Sequence, residues 1–158
     1  MSLHLYSVSI AGQMLQRGFW LYIWRIRSRS RVFYYVGRTG DNSSINASSP
    51  ISRLGQHLSF QSYASANMLI RHMRSNRINP YTCKLEMIAL GPIFPEQKTM
   101  KQHVHYRDII GHIESALAIH LRKRGLLVLG KHPRTGDVDR DLLSSIVSKF
   151  EKAILKAC

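Results

Sequence analysis

Two runs of apolar and aromatic residues near the start of the chain predict a β-hairpin. The first run covers residues 20–26 and the second covers residues 32–36, and β-branched and aromatic side chains dominate both. Five polar residues, 27–31, separate the runs, which predicts a hairpin closed by a five-residue loop. Because both faces of the strands are largely apolar, we expect the hairpin to lie inside a sheet that helices cover on at least one face.

Helical spacing of apolar residues and capping signals predict four helices in the remainder of the chain. Ser49 and Pro50 are typical of an N-cap and a first helical position, so the first helix is expected over residues 50–58. The other three are expected over residues 62–75, 106–124 and 141–156, with Gly125 ending the third and Asp139 or Asp141 capping the fourth.

Strand and turn signals complete the predicted fold. A third strand is expected over residues 83–90, stopped by Gly91-Pro92, and residues 126–130 form either a short strand or an extended segment. The expected fold class is α/β of the α+β type: a small, mainly antiparallel three-stranded sheet flanked by helices, with an additional C-terminal helix. We expect a single domain over residues 1–158, made of an N-terminal extension (1–18), a core (19–133) and a C-terminal helix (134–158).

The charge of the chain adds a class of partner to this picture. Lysine and arginine number 23 against 9 acidic residues, which gives a formal net charge of +14. Such an excess causes self-repulsion in the folded state, and a polyanionic partner such as DNA accounts for it. Cys83 and Cys158 form no disulfide framework or zinc pattern, and neither a signal peptide nor a membrane-spanning run is visible. We therefore expect an intracellular, cytoplasmic protein without a membrane partner.

Three short motifs, in order along the chain, resemble the GIY-YIG nuclease domain. They are Trp20-Leu21-Tyr22 in the first predicted strand, Tyr35-Val36-Gly37 in the second, and Arg53 with His57 four residues later on the first predicted helix. The resemblance runs from about residue 20 to residue 132, which is most of the chain. Its specificity comes from the ordered set of motifs on strand, hairpin and helix, because a single tripeptide would be weak evidence.

The chain departs from the family pattern at two places. Trp20-Leu21 replaces the glycine and isoleucine of the first motif, so only its tyrosine is retained. The family often has an asparagine shortly after the helix that carries its glutamate, whereas no asparagine follows Asn79 here. Lys131 and His132 occupy that neighbourhood, so either one of them fills the role or the site is altered.

The resemblance implies a metal-dependent endonuclease that hydrolyses DNA phosphodiester bonds. It implies that Tyr22 acts as general base or orients the attacking water, and that Tyr35 is a hydrogen-bonding partner. Arg53 would clamp the scissile phosphate, a task that suits the planar guanidinium. His57 is a base, a phosphate donor or a helix surface residue. Further phosphate or DNA contacts are expected from Gly37, Arg38, Arg27, Arg29 and Lys131.

Glu114 is the acidic residue that interrupts the apolar stripe of the predicted long helix. A carboxylate on a buried stripe costs several kcal/mol (on the order of 3–5) unless it is paired or binds a cation. One interpretation is a structural salt bridge with Arg53 or another base. The other, which the resemblance implies, is that Glu114 is the single protein ligand of Mg²⁺ or Mn²⁺, with water and phosphate in the remaining positions.

Two other functions compete with the endonuclease. The first is a catalytically inactive nucleic-acid-binding domain on the same scaffold, which the missing asparagine keeps open. The second is a basic RNA-binding structural protein whose motifs are coincidental. Cutting both strands of a duplex favours a homodimer, since two strands need two sites, but a monomer remains equally compatible with the sequence.

Overall fold

A computed structural model of the protein describes residues 3–29, 31–41, 44–61, 67–133 and 136–155. Within these ranges the chain forms four strands and four helices, with short 3₁₀ turns at Gly12–Leu15 and Pro80–Thr82. The strands are β1 (Gly18–Ser28), β2 (Arg31–Arg38), β3 (Lys84–Pro95) and β4 (Leu127–Leu129). The helices are α1 (Pro50–His57), α2 (Met68–Ser75), α3 (Met100–Lys123) and α4 (Arg140–Leu155).

The four strands form one mixed sheet in the order β3-β1-β2-β4. β1 pairs antiparallel with both β2 and β3, whereas β4 pairs parallel with β2 through Tyr35 opposite Leu129. The mixed α and β class is therefore confirmed, and the expectation of a three-stranded, mainly antiparallel sheet is wrong. The extra strand is the run 126–130, which is too short to predict pairing by itself but follows α3 back to the edge of β2.

The hairpin strands lie where the sequence predicts them, but their connection is shorter than expected. Pairing continues to Ser28 opposite Arg31, so only two residues separate the strands, and residue 30 lies outside the described residues. Arg29 has a φ of 51°, which is the left-handed conformation that two-residue hairpin turns require. The predicted five-residue loop is wrong because polar residues at an exposed hairpin end can still pair through their backbones.

The third strand extends past the Gly91-Pro92 pair that was expected to stop it. β3 is an edge strand, where a proline without a backbone N–H removes no necessary ladder bond. The pairing shifts register between Phe19 and Leu21 of β1, which places residues 91–93 opposite Trp20. The close approach of Gly91 to the Trp20 ring leaves no room for a Cβ atom.

The helices confirm the capping signals but differ in length from the predictions. Ser49 caps α1 by accepting a hydrogen bond from the Ser52 N–H, and Asp139 caps α4 through the N–H groups of Asp141 and Leu142. Helix α3 begins six residues before the predicted start because Thr99 caps it by accepting from Gln102 N–H. Residues 62–66 of the predicted second helix, and residue 156 of the predicted fourth, lie outside the described residues.

Two apolar clusters cover the two faces of the central strands. On one face Phe19, Leu21 and Ile23 pack against α3 and α4, and on the other Tyr22, Trp24 and Ile26 pack against α2. The alternation along β1 therefore separates two cores, which confirms that the hairpin is central and covered. Among the described residues, no helix combines the length and apolarity that crossing a membrane requires.

Candidate active site

A cavity of about 250 Å³ opens where β2 ends beside α1 and α3. Strand β1 contributes Tyr22, strand β2 contributes Tyr35, Gly37 and Arg38, helix α1 contributes Arg53 and His57, and helix α3 contributes Glu114; Asp41 and Met68 complete the lining. The structure thus brings together seven of the residues that the sequence singled out. They come from four elements that lie up to 92 positions apart, from Tyr22 to Glu114.

Tyr22 and His57 form the closest polar contact between neutral side chains in this cavity. The Tyr22 hydroxyl lies 2.6 Å from Nε2 of His57 and 3.2 Å from the Arg38 carbonyl oxygen. Both side chains are buried, and their rings meet edge to face. A phenol has one hydrogen, so it donates either to His57 or to the Arg38 carbonyl, according to which ring nitrogen of His57 carries the proton.

Burial keeps both partners of this contact uncharged. It raises the pKa of Tyr22 well above its ordinary value, an effect that nearby Arg53 reduces but does not cancel. Burial, together with the Arg53 charge, lowers the pKa of His57 to about 4. At neutral pH the site therefore holds a phenol and a neutral imidazole, and this imidazole can accept a proton through Nε2 or Nδ1.

Tyr35 lies on the other side of the His57 ring. Its ring contacts His57 edge to face at 5.4 Å and tilts against His72 of α2 at 5.7 Å, measured between ring centroids. Burial and the Glu114 charge raise the pKa of Tyr35, so this phenol also stays protonated. Tyr35 is thus a neutral hydroxyl that lines the cavity and holds the imidazole in place.

Glu114 forms an ion pair with Arg38. Nε of Arg38 donates to Oε2 of Glu114 at 2.9 Å, and Nη1 of Arg38 donates to the Arg107 carbonyl at 2.8 Å. The pair joins the end of β2 to the middle of α3, with 18% of the Glu114 side chain exposed to the cavity. The predicted alternative of a salt bridge with a base is therefore present, with Arg38 as the base.

Arg53 forms a second ion pair across the cavity. Its Nη2 pairs with the Asp41 carboxylate, and its Nη1 donates to the Gln56 side chain at 2.7 Å. Its Nε is buried and has no hydrogen-bond partner among the described residues, and the same holds for Nδ1 of His57. Buried polar groups are normally satisfied, so these two atoms are exceptions within the cavity lining.

Gly37 allows the close approach of β2 to the Tyr22 ring. A Cβ atom at this position would lie 2.5 Å from Cε2 of Tyr22 and 2.8 Å from its hydroxyl oxygen. Any side chain here would displace a ring that is fully buried. The glycine of the second motif is therefore a packing requirement of the Tyr22–His57 contact.

A smaller cavity of about 180 Å³ adjoins the first and shares Tyr35, Met68 and Glu114 with it. Lys131 and His132 line it, so the segment after β4 lies beside the Glu114 carboxylate. Nδ1 of His132 accepts from Arg122 at 3.0 Å, while its Nε2 lies 3.3 Å from the Val36 carbonyl oxygen. Burial lowers the pKa of His132, which favours the neutral ring with its proton on Nε2.

Two predicted DNA-contacting residues lie elsewhere. Arg27 and Arg29 are at the hairpin turn, at the opposite end of β1 from the cavity. Five residues of strand separate Arg27 from Tyr22, about 16 Å at the usual rise per residue. They are therefore outside the site, and any contact with DNA would be made through a separate surface.

Asp41 is a residue of the cavity that the motifs of the sequence did not indicate. Its carboxylate neutralises the guanidinium of Arg53, whose side chain is only 13% exposed. A buried arginine requires an anionic or hydrogen-bonding partner, and Asp41 lies four residues after Gly37, the last residue of the second motif. This position close to the motif is the feature of the sequence that could have indicated Asp41 as a site residue.

Glu114 is also the residue that can hold a divalent cation. Among the described residues, no three histidine, cysteine or acidic side chains cluster as a metal site. A carboxylate offers about four lone-pair positions, so the hydrogen bond from Arg38 to Oε2 does not preclude coordination. Mg²⁺ is commonly bound by one or two carboxylates with water and phosphate, and the side chains present fit that sparse pattern.

Comparisons with protein-family models, with curated proteins and with solved structures find no match to this chain.

Proposed function

We propose that the protein is a divalent-metal-dependent endonuclease that hydrolyses DNA phosphodiester bonds with a GIY-YIG-like site. The observation that carries the proposal is the single cavity in which Tyr22, Tyr35, Arg53, His57 and Glu114 converge. Phosphodiester hydrolysis requires an activated water, stabilisation of charge on the phosphoryl oxygens, and a path for the proton. The side chains of the cavity supply each of these.

Arg53 binds the scissile phosphate in this proposal. Its buried Nε–H has no partner among the described residues, and its fork of donors matches phosphate oxygens. The two ion pairs, Arg38–Glu114 and Arg53–Asp41, balance the charged side chains of the cavity before substrate binds. A phosphate would interact with the guanidiniums, whereas a cation would interact with the carboxylates.

Tyr22 and His57 move the proton. Since burial raises the pKa of Tyr22, a free phenolate is disfavoured at neutral pH, and the phenol acts as a relay. The attacking water gives its proton to the phenol oxygen while the phenol proton passes to Nε2 of His57, 2.6 Å away. The hydroxide oxygen forms the new bond to phosphorus, the bond between phosphorus and the bridging oxygen breaks, and the leaving alkoxide takes a proton from solvent. A divalent cation at Glu114 would stabilise the charge on the phosphoryl oxygens.

The catalytically inactive binding domain is the second candidate. It is favoured by the Arg38–Glu114 pair, because a carboxylate neutralised by a guanidinium can serve as a structural link between β2 and α3. In that case the excess of basic residues would bind DNA and the cavity would have no reaction to catalyse. Intracellular location, and whether one or two copies act on a duplex, stay predictions.

A plasmid-nicking assay separates the two functions. We expect the wild-type chain to nick supercoiled DNA with Mg²⁺ or Mn²⁺ and to stop when EDTA is added. Glu114→Ala should lower the nicking rate on the order of 10²–10³-fold while it leaves DNA affinity, measured by fluorescence anisotropy, within about threefold. Absence of wild-type cleavage with every divalent cation tested, despite tight DNA binding, would support the inactive domain.

A further inference from the structure

An aromatic pair lies on the surface near the end of α2. The rings of Phe60 and Tyr81 stack with centroids 5.1 Å apart and planes 15° from parallel. Tyr81 is 81% exposed and Phe60 is 38% exposed, so the pair presents aromatic surface to solvent. Single exposed apolar residues are ordinary, but two stacked rings held open to water are a preformed flat surface.

Arginines connect this pair to the catalytic cavity. Nη1 of Arg71 lies 4.0 Å from Sδ of Met68, a residue that lines the cavity, and the Arg74 guanidinium lies 5.2 Å from the centre of the Phe60 ring. Met68, Arg71 and Arg74 recur at three-residue spacing along α2, which places them on one side of the helix. From Met68 to Arg74 the helix rises about 9 Å.

The charge of this region suits an anionic ligand. Residues 42–85 contain no aspartate or glutamate, while they carry five basic side chains, Arg53, Arg71, Arg74, Arg77 and Lys84. Of these five, Arg53 is paired with Asp41, which lies just before the segment. The aromatic pair therefore lies within a segment that contributes positive charge and no acidic side chain of its own.

We propose that Tyr81, stacked on Phe60, binds an unpaired base of the nucleic-acid strand that enters the cavity. Arg71 and Arg74 contact the phosphates between that base and the scissile bond. Every base has a π face, so stacking of this kind is tolerant of sequence and selects for bases that are not paired. The inference rests on the proposed function for the identity of the strand, and it specifies the substrate class: DNA with a single-stranded or frayed segment beside the cleaved phosphate.

Binding without cleavage tests this inference. The full chain is titrated in EDTA with a single-stranded oligonucleotide that contains 2-aminopurine, whose fluorescence falls on stacking, and with the blunt duplex of the same sequence. For Tyr81→Leu we expect the affinity for the single strand to fall about fivefold to a hundredfold. The duplex affinity should stay within twofold. Tyr81→Phe, which keeps the ring and loses only the hydroxyl, is the matched control and should bind both as wild type does.

The salt dependence of DNA affinity distinguishes stacking on Tyr81 from phosphate contacts made by the neighbouring arginines. The loss in Tyr81→Leu should persist at low and at high salt, because stacking releases no counterions. Arg71→Gln should instead weaken binding of both DNA forms and reduce the slope of log affinity against log salt by about 1. A Tyr81→Leu slope that changes like that of Arg71→Gln would overturn the stacking assignment.

Two further outcomes would also overturn the inference. One is a lower melting temperature for Tyr81→Leu with unchanged DNA affinity, which would make the rings a structural pair. The other is an equal loss of affinity for single strand and duplex. Because these titrations contain EDTA, they give an answer whether or not the protein cleaves DNA, so failure of the nuclease proposal remains distinguishable from failure of this one.

Discussion

The β1–β2 hairpin carries two buried arginines with nearly the same contacts and very different surroundings. Arg38 donates to Glu114 and to the Arg107 carbonyl, while Arg25 donates to Glu86 and to the Ile154 carbonyl. Each guanidinium is almost completely buried and joins the sheet to a helix. Their carboxylate partners differ: Glu114 lines the cavity of the candidate site, whereas Glu86 lies directly across from Arg25 on the edge strand β3.

This difference shows that the role of an ion pair depends on the side chains that surround it. The Glu86 side chain is 43% exposed, and its role is to neutralise Arg25 beside the α3–α4 core. Glu114 shares its cavity with Tyr22, Tyr35 and Arg53. We therefore expect both substitutions to lower stability, because each leaves a buried arginine unneutralised, and only the loss of Glu114 to lower cleavage as well.

The largest expected effect separates the two glutamates directly. Glu114→Ala should lower the cleavage rate on the order of 10²–10³-fold, since in the proposed mechanism it removes the carboxylate that would hold the divalent cation. Glu86→Ala should lower the free energy of unfolding by about 3 kcal/mol, because it leaves Arg25 buried and unneutralised. Urea unfolding and nicking of plasmid DNA measure the two quantities. Equal losses of cleavage per folded molecule would remove the distinction.

The next effect concerns His57, the neutral histidine of α1 that lines the cavity. The pKa of His57 in the folded protein, about 4, lies below its ordinary value of 6.5. Between these values the unfolded chain binds a proton that the folded chain does not. The contribution of His57 to the free energy of unfolding is therefore fully present above pH 6.5 and is lost as the pH falls toward 4. At about 1.4 kcal/mol per pKa unit, the total loss is about 3 kcal/mol.

Urea unfolding at a series of pH values checks this expectation. The free energy of unfolding of His57→Gln should fall less steeply than that of wild type between pH 6.5 and 4, since the variant lacks the group that titrates. The nicking rate of the folded wild-type protein should decrease only as the pH approaches 4, because a protonated His57 cannot accept the proton of Tyr22. Identical slopes for wild type and variant would show that His57 is not the buried group described here.

A smaller effect compares Gly37, which packs closely against Tyr22, with Gly55, an open position on α1. Gly37→Ala should cost about 1–3 kcal/mol of stability and most of the cleavage activity, because its Cβ would overlap the Tyr22 ring. Gly55→Ala is the matched control: a Cβ there has no neighbour within 4 Å, and alanine favours a helix over glycine. We expect this control to gain up to about 1 kcal/mol with unchanged activity. Thermal melts and nicking rates compare the two.

The smallest effect concerns the turn of the hairpin. Arg29→Asn keeps a residue that tolerates the positive φ of this position while it removes the exposed charge. We expect DNA affinity to fall by no more than a few-fold and the salt slope to decrease by about 1, with no change in the cleavage rate of bound DNA. A large loss of cleavage in this variant would place the turn in the site, against its position at the far end of β1.

Local signals predicted much of the fold. Some features depend only on side chains within a few residues of one another: the two hairpin strands, the Ser49 cap of α1 and the Asp139 cap of α4. These features could therefore be predicted without knowledge of any tertiary contact. The predicted stop at Gly91-Pro92 failed for the opposite reason. Whether a proline ends a strand depends on whether its missing N–H faces a partner, and that depends on the strand order of the whole sheet.

The sequence by itself determined which side chains could take part in phosphodiester chemistry: two phenols, an arginine and a histidine one helical turn apart, and a glutamate in an apolar stripe. Only the tertiary structure decided how they are paired. Glu114 meets Arg38, 76 positions away, and Arg53 meets Asp41. Ion pairing is decided by distance in the folded chain and by the need to neutralise each buried charge, and neither quantity exists until the strands and helices have packed.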